Sequence, residues 1–453
     1  MNHTLLCDFY ELTMAYAYFK QNKHKQIVYF EVFFRQAPDN AKYAIFAGLE
    51  QIIQHIQNFS FTKEDIEFLQ NTNSFSEDFL NYLANLKFSG DIYSIQEGEC
   101  IFANEPIFYV KAPIIEALLL ETFILLTLNH QCLITTKANR IFQIAKEKIL
   151  LEFGSRRAHG ANAAINGTRA AFIGGFNATS CTLAAKKFNI PLSGTMSHAW
   201  VQMHDNELDA FRSYCKIYED NITLLVDTYD CINGINNAIL IFKELQAKKT
   251  LKNYAIRIDS GDLLKLSKLA RKMLDQNNLK NCKIFVSNAL DENKITQLLK
   301  NQAPIDGFGV GERLITSASC PVFGAVYKLV AIEKNQHIIP KIKISEHSSK
   351  TTLPSFKKLI RYYKNEKMEF DKLYNYDEKI TQYKNLQAKN ILEMIFKNGQ
   401  LIYKIPNLSS IQNFYKKNIQ SLKSSHKRLQ NPSTYKVKIS KKLQELKKNL
   451  TLN

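Results

Sequence analysis

Several polar side chains close short apolar runs in the middle of this sequence, and their types suit phosphate and sugar chemistry. In IPLSGTMSHAW (190–200) the run ends on Thr195 and His198. A histidine can accept a phosphoryl group when one ring nitrogen is neutral and the other is held by an acceptor such as a carboxylate. Asp227, closing ITLLVDTYD (222–230), is a partner of that kind, while His159 and His204 compete for the histidine's role on residue type alone. RIDSGD (257–262) sets Arg257, Asp259 and Asp262 close together. A guanidinium beside carboxylates can hold a phosphorylated substrate and its magnesium; the plainer alternative is a local ion pair, with Asp262 capping the next helix. FGSRR (153–157) offers Phe153 as an aromatic plate and Arg156 or Arg157 as carboxylate clamps. GFGVGERL (307–314) is a glycine-rich turn in which backbone N–H groups around Gly309 and Gly311 can approach a phosphate and Arg313 can add charge. The sequence has no Walker A loop and no paired-acid loop ending in Thr-Gly.

The elements that must position these residues repeat. Apolar runs at 149–157, 171–180, 190–198, 222–230, 254–262, 283–292 and 305–314 each end in polar or glycine-rich residues, and helical patterns such as LLKLSKLARKMLDQ separate most of them. Spacings of roughly 20–32 residues suit successive βα units. In a β/α barrel the chemistry gathers at the carboxyl ends of the strands. Arg156, Ser180, His198, Asp227, Arg257, Asp259 and the GFGVG glycines all fall there. Around this core the sequence predicts three regions. Residues 1–112 form a mixed α/β domain, with a helix over DFYELTMAYAYFKQ, an alternating strand in QIVYFEVFFR and a Thr-capped helix at FTKEDIEFL. Residues 113–345 form an irregular barrel. Residues 346–453 are a lysine-rich region, opening on the loop-like SEHSSKTTLPS and ending in an amphipathic helix, SKKLQELKKNL.

Composition narrows the function. Charge is concentrated at one end: from Lys341 onward 25 Lys and Arg stand against 8 Asp and Glu, a balance of +17, so the first 340 residues are nearly neutral within a total of +18. A basic third of this kind raises a nucleic-acid-binding alternative. No nucleic-acid motif accompanies it, and such a role would leave the strand-end residues unexplained, so a lysine-rich surface is the expectation. The eight cysteines are scattered, without C-x-x-C pairs, which fits a reducing cytoplasm. The stretch 113–134 is apolar but carries Glu116, Glu121, Asn129 and His130, and reads as a buried helix rather than a membrane span. The N-terminus lacks the basic region of a signal peptide.

DFYELTMAYAY, FEVFFR, LEFGSRRAHG, GGFNATS, GTMSHAW, VDTYD, RIDSGDL, GFGVGERLITS and VFGAVYKLVA, in this order, resemble the nicotinate phosphoribosyltransferases, as do KISEHSSKTTLPS and the ending NPSTYKVKISKKLQEL. The resemblance implies a type II phosphoribosyltransferase: an irregular α/β barrel with a mixed α/β domain built from the N-terminal and C-terminal regions. It implies transfer of the phosphoribosyl group of phosphoribosyl pyrophosphate (PRPP) to nicotinate N1. Mg²⁺ is required, ATP is hydrolysed as co-substrate through a phosphohistidine, and the enzyme is a cytoplasmic homodimer with shared active sites. By motif, His198 is the phosphorylated histidine and Asp227 its carboxylate neighbour. Tyr10 and Phe153 sandwich the pyridine ring, Tyr10 coming from the partner subunit, and Arg156 and Thr195 lie near ring and ribose. Arg257 meets nicotinate and the ribose phosphate, Asp259 the ribose hydroxyls or metal, and Arg35 the ATP or pyrophosphate. The 309–313 loop cradles the 5′-phosphate. Glu312 stands where the family often has Thr, and a carboxylate beside a phosphate is unfavourable unless it turns away or meets magnesium. Relatives that use nicotinamide carry an Asp at the position of Ser180. The neutral hydroxyl here favours nicotinate over the alternative, a nicotinamide phosphoribosyltransferase. The metal ligands are not readable from the sequence.

Overall fold

Period-two alternation builds the sheet that carries the candidate site. The computed structural model describes residues 2–218, 220–249, 251–346 and 350–452; the centre of the SEHSSKTTLPS loop, residues 347–349, lies outside the described residues. Two units are present, residues 1–133 with 322–453, and residues 134–321. These boundaries differ from those drawn on the sequence. The apolar 114–133 segment buries Ile115, Leu120, Ile124, Leu128 and Cys132 in the first unit's core, and the strand Ala325–Lys334 pairs with Ile27–Phe34 there, so both belong to the first unit rather than to the barrel.

In the second unit, six parallel strands run in the order Ala178–Thr179, Ile149–Glu152, Gly307–Val310, Lys283–Val286, Asn253–Ile258, Asn221–Leu225. Pairing of the first strand in sequence with the last closes one side. The other side stays open between residue 192 and Asn221–Leu225 among the described residues, so the sheet is a half-barrel. Along each strand one set of residues faces inward: Leu151, Thr223, Ala255, Arg257, Phe285 and Gly309 line a cavity. The alternate set, Leu150, Leu224, Ile256, Ile284 and Phe308, is buried against the surrounding helices. Helices Cys231–Ala247, Leu263–Gln276 and Glu292–Lys300 return the chain, each started by an aspartate side chain (Asp230, Asp262, Asp291) that accepts backbone N–H bonds of the first turn. Asp262 is thus a helix cap, as the plainer reading had it.

Two expected strands are corrected. Residues 161–173 are helical, because the alanine-rich ANAAINGTRAAFI favours helix and its apolar residues recur on a helical period, leaving only Ala178–Thr179 as strand. The 190–198 run is reduced to one parallel bridge, Thr179 to Leu192. Pro191 has no N–H to give a ladder; its carbonyl accepts from Thr179 N, Ser193 N bonds back to Thr179 O, and the chain then loops to His198, which opens the helix His198–Gln202.

The first unit holds a seven-stranded sheet in which Ile27–Phe34 pairs antiparallel with both Ala325–Lys334 and Phe108–Pro113. The expected apolar-polar alternation of Ile27–Phe34 is absent, since residues 28–34 are all buried in a strand covered on both faces. A second sheet of four strands comes wholly from the C-terminal region. The predicted first helix, Phe9–Lys20, has a capping box of Asp8 and Glu11; Thr62 caps Lys63–Asn71, and the last helix is Lys441–Leu452. By length and hydropathy the stretch Ile114–Ala145 could cross a bilayer, but 61% of its apolar window is buried within the protein, as a core helix requires.

Candidate active site

Four strand tips converge around Arg257. Its side chain is half-buried, its Nη1 donates to Thr195 Oγ1 at 2.8 Å, and its Nε is buried without a partner among the described residues. Burial lowers the pKa of this guanidinium; Asp259 and Asp227 oppose that, and Arg156 adds to it. These four groups are therefore close enough to feel one another's charge. Asp227 accepts from the backbone N–H of Asp259 at 2.8 Å and from Ser260 Oγ at 2.6 Å, while its Oδ1 is buried without a partner among the described residues. Asp259 Oδ1 accepts from Ser287 Oγ at 2.5 Å, and its Oδ2 lies 3.9 Å from His198 Nε2. The imidazole is 40% exposed, and its Nδ1 meets Thr228 Oγ1 at 3.2 Å. The groups around His198 are thus Asp259 and Thr228. Asp227, assigned behind the ring, is instead turned toward the 259–260 backbone and holds the RIDSGD turn. The reason is local: both acids stand at the tips of adjacent strands, and Asp227 is aligned with the free N–H that follows Ile258.

The aromatic plate is built by a glycine. A Cβ on Gly309 would lie 2.6 Å from two ring carbons of Phe153, so only glycine lets this ring lie against the neighbouring strand. Gly309 is a strand residue with this packing duty; the turn proper begins at Gly311, ahead of the short helix Glu312–Ile315. Arg156 and Arg157 sit exposed on the single-turn helix Ser155–Arg157. Glu312 turns toward Arg157, Oε2 to Nε 3.5 Å, both groups well exposed. Arg313 is exposed beside it, and Ser180 is exposed at the tip of its strand, its N–H bonded to Glu152 O at 2.9 Å.

A cavity of about 640 Å³ follows the inner face of the sheet, with Phe153, Thr195, Arg257 and Gly309 at the strand tips and Lys252, Asn281 and Lys283 toward the other end. His198, Asp227 and Asp259 are not in its wall; they adjoin it through Arg257. Tyr10 and Arg35 belong to the other unit. Tyr10 is 45% exposed on the helix Phe9–Lys20, its phenol pushed up to about 12 by burial of its surroundings and by Glu121. Arg35 follows the strand Ile27–Phe34, its guanidinium 5.4 Å over the Phe33 ring and its Nε buried without a partner among the described residues. Reading of the sequence missed Thr228, Ser260 and Ser287, hydroxyls beside strand-end acids that a rule of "polar residues at strand tips" would have included. It also missed the 288–289 turn, where Asn288 (φ 101°) and Ala289 (φ 47°) both take left-handed backbone. Positive φ at an alanine has no signal in the sequence, and such strain gathers where backbone N–H groups are turned toward a ligand.

The chain was compared with known proteins. Family models match along its length: the nicotinate phosphoribosyltransferase N-terminal domain at residues 5–129, the nicotinate phosphoribosyltransferase family at 149–399 and the C-terminal domain at 361–447. The chain belongs to the nicotinate phosphoribosyltransferase family. It is 43% identical to a nicotinate phosphoribosyltransferase of Bacillus subtilis over 96% of this chain and 93% of the relative, and 36% identical to one of Mycobacterium tuberculosis over 97% and 92%. Among solved structures it resembles human nicotinic acid phosphoribosyltransferase with TM-score 0.86 and 25% identity, covering 98% of this chain and 99% of the other. The half-barrel with its mixed α/β companion is therefore the type II phosphoribosyltransferase fold that the motifs implied.

Proposed function

We propose that this member of the family transfers the 5-phosphoribosyl group of PRPP to N1 of nicotinate, releasing pyrophosphate, and that the strand tips of the half-barrel perform the reaction. The observation that carries this reading is the convergence of an aromatic plate (Phe153), a half-buried guanidinium whose buried Nε has no partner among the described residues (Arg257) and the Asp259–His198 pair at one end of one sheet. Family membership supports it independently.

Each group has a task in that chemistry. The Phe153 ring, flat against Gly309, stacks on the pyridine. Arg257 and Arg156 offer a nicotinate carboxylate charge-assisted hydrogen bonds, and Ser180, which carries no charge, does not repel it. As the C1–pyrophosphate bond breaks, positive charge develops on the ribose and negative charge on the departing oxygens. Preorganised cations and backbone N–H groups lower that barrier without reorganising. The 309–313 and 288–289 turns hold the 5′-phosphate, with Glu312 drawn off by Arg157. Asp227 and Asp259 are the residues that would hold Mg²⁺, which would supply neutralisation of the phosphate charge. Among the described residues no three His, Cys, Asp or Glu groups form a metal site of their own. The unpartnered Asp227 Oδ1 nevertheless fits an ion that takes one or two carboxylates plus substrate oxygens and neutralises phosphate charge.

ATP coupling through His198 belongs to the same proposal. With Nδ1–H donating to Thr228, Nε2 carries the lone pair and is the nucleophile toward the γ-phosphorus. The ADP oxygen leaves with the bond electrons, and later hydrolysis of the N–P bond returns phosphate. The phosphorylated state adds charge next to Asp259 and Arg257 and so alters the PRPP site. We also propose a homodimer in which Tyr10 of one subunit completes the ring site of the other; Leu6, Phe9, Tyr10 and Met14 leave an exposed apolar row at the first helix. A cytoplasmic location suits the eight free thiols. The test is direct: pure protein with nicotinate, PRPP and Mg²⁺, with and without ATP, is expected to give nicotinate mononucleotide and pyrophosphate, faster or further with ATP. No nucleotide product under either condition would overturn the reading.

A further inference from the structure

Glu152, the last residue of its strand, is 1% exposed and no lysine or arginine pairs with it among the described residues. Its carboxylate is held by three donors instead. Oε1 accepts from Gly154 N at 2.5 Å, and Oε2 accepts from Thr168 Oγ1 at 3.0 Å and from Thr179 Oγ1 at 2.6 Å. The direction of these bonds is fixed where it matters. An amide N–H can only donate, and Thr179 Oγ1 already accepts from Cys181 N at 2.9 Å, which leaves its proton for Glu152. Burial pushes this carboxyl up, and the three donors pull it back toward the ionised form.

The three donors lie on three different elements. Gly154 N begins the turn that carries Phe153 and Arg156; a Cβ at Gly154 would lie 2.8 Å from Glu152 Oε1 and 2.6 Å from Ile315 Cβ, so this approach is closed to any other residue. Thr168 is on the helix Ala161–Ile173. Thr179 precedes Ser180, whose own N–H bonds to the Glu152 carbonyl at 2.9 Å. One residue therefore ties the ring plate on one strand to the acid-or-amide position on the next.

We propose that Glu152 is a positioning residue for nicotinate: it fixes the spacing between Phe153–Arg156 and Ser180, and thereby sets the preference for the acid over the amide. This rests on the nicotinate reading of the site. The Glu152 backbone pairs with Val310 beside the 5′-phosphate turn, but its side chain bonds only Gly154, Thr168 and Thr179, none of them assigned to PRPP, so changing the side chain should affect the two substrates differently.

The test measures KM for nicotinate, KM for PRPP, the nicotinate-to-nicotinamide ratio of kcat/KM and thermal stability in wild type, Glu152→Ala, Thr179→Val and Thr168→Val. For Glu152→Ala the nicotinate KM is expected to rise tenfold or more and the selectivity ratio to fall about tenfold, with the PRPP KM within threefold. Should that variant fail to fold, Thr179→Val decides alone, because this near-isosteric change removes one hydroxyl, with its bond to Glu152 and the bond it accepts from Cys181 N: a threefold or larger fall in selectivity supports the proposal, and a smaller change with a folded enzyme overturns it. Thr168→Val, tied to neither substrate element, should move selectivity by less than twofold. A parallel rise of both KM values, or lower stability with unchanged kinetics, would mean that Glu152 only holds the fold together. Wild type inactive on nicotinate is a separate outcome, which would refute the parent reading instead.

Discussion

Two arginines show how differently the two units use charge. Arg361, in the first unit, is fully buried and each of its three nitrogens is hydrogen-bonded. Nε bonds Asp371 at 2.9 Å, Nη1 bonds Glu99 at 2.5 Å, and Nη2 bonds Asp371 at 2.6 Å and Cys100 O at 2.9 Å, while Tyr435 donates to Asp371 at 2.8 Å. Among the described residues Arg257, in the second unit, makes one side-chain bond and leaves a buried Nε without a partner, and the nearby Asp227 likewise leaves a buried oxygen without one. A buried polar atom without a partner costs free energy. The first arginine is a clamp between residues near 100, 361–371 and 435. The second is held short of satisfaction, which makes sense where a ligand supplies the missing partners.

The comparison is easiest to break at its extremes. Arg361→Leu should cost about 3–5 kcal/mol in urea unfolding, because it strands buried carboxylates, while activity per folded molecule changes little. Arg257→Leu should leave stability within about 1 kcal/mol of wild type yet lower kcat/KM by roughly 10²–10³, the scale of one lost transition-state donor. If Arg257→Leu were the unstable one and stayed active, the two roles would have to be exchanged. Next in size is Gly309→Ala, which must displace the Phe153 ring: the nicotinate KM should rise about tenfold, with a stability loss of about 1–3 kcal/mol from overpacking, and a KM unchanged in steady-state assays would remove Phe153 from the ring site.

A smaller effect concerns pH. Burial pushes Glu11 in the first unit up to about 7, against the hydrogen bond from Thr122, with Glu121 adding to the rise. A carboxyl that binds its proton more tightly when folded favours the folded state at low pH and withdraws that advantage as pH rises from its ordinary 4.5 toward 7. The unit should lose roughly 1–2 kcal/mol over that window, and Glu11→Gln should flatten the slope in pH-dependent denaturation. Smallest of all, Glu312→Thr should lower the PRPP KM a fewfold, since the exposed Arg157–Glu312 pair is worth under about 1 kcal/mol and its loss frees a cation; a raised KM would give Glu312 a direct part in binding.

The residues that carry this contrast were unevenly legible in the sequence. The strand ends could be read because each apolar run stops on a polar residue, which brought out Arg257 and Asp259, and also His198, although its run is a loop leading into a helix rather than a strand. Strand extent was misjudged where local chemistry competed, at the helix-forming alanines of 161–173 and at Pro191. Partner choice was the least legible: that Asp227 holds a backbone turn while Asp259 faces the imidazole depends on the register of two parallel strands, and the three donors on Glu152 come from segments up to 27 residues away. Arg361 gave no sign of its burial within a lysine-rich stretch.

The claim beneath all of this is that the tips of the half-barrel are the chemical centre, with His198 as its phosphoryl acceptor. Incubation with γ-labelled ATP, followed by acid and alkali treatment and peptide mapping, tests it most directly. The prediction is an acid-labile, alkali-stable label on His198, absent in His198→Ala, together with loss of ATP stimulation in that variant while ATP-independent transfer persists. Label on another residue, or ATP stimulation undiminished in His198→Ala, would contradict it.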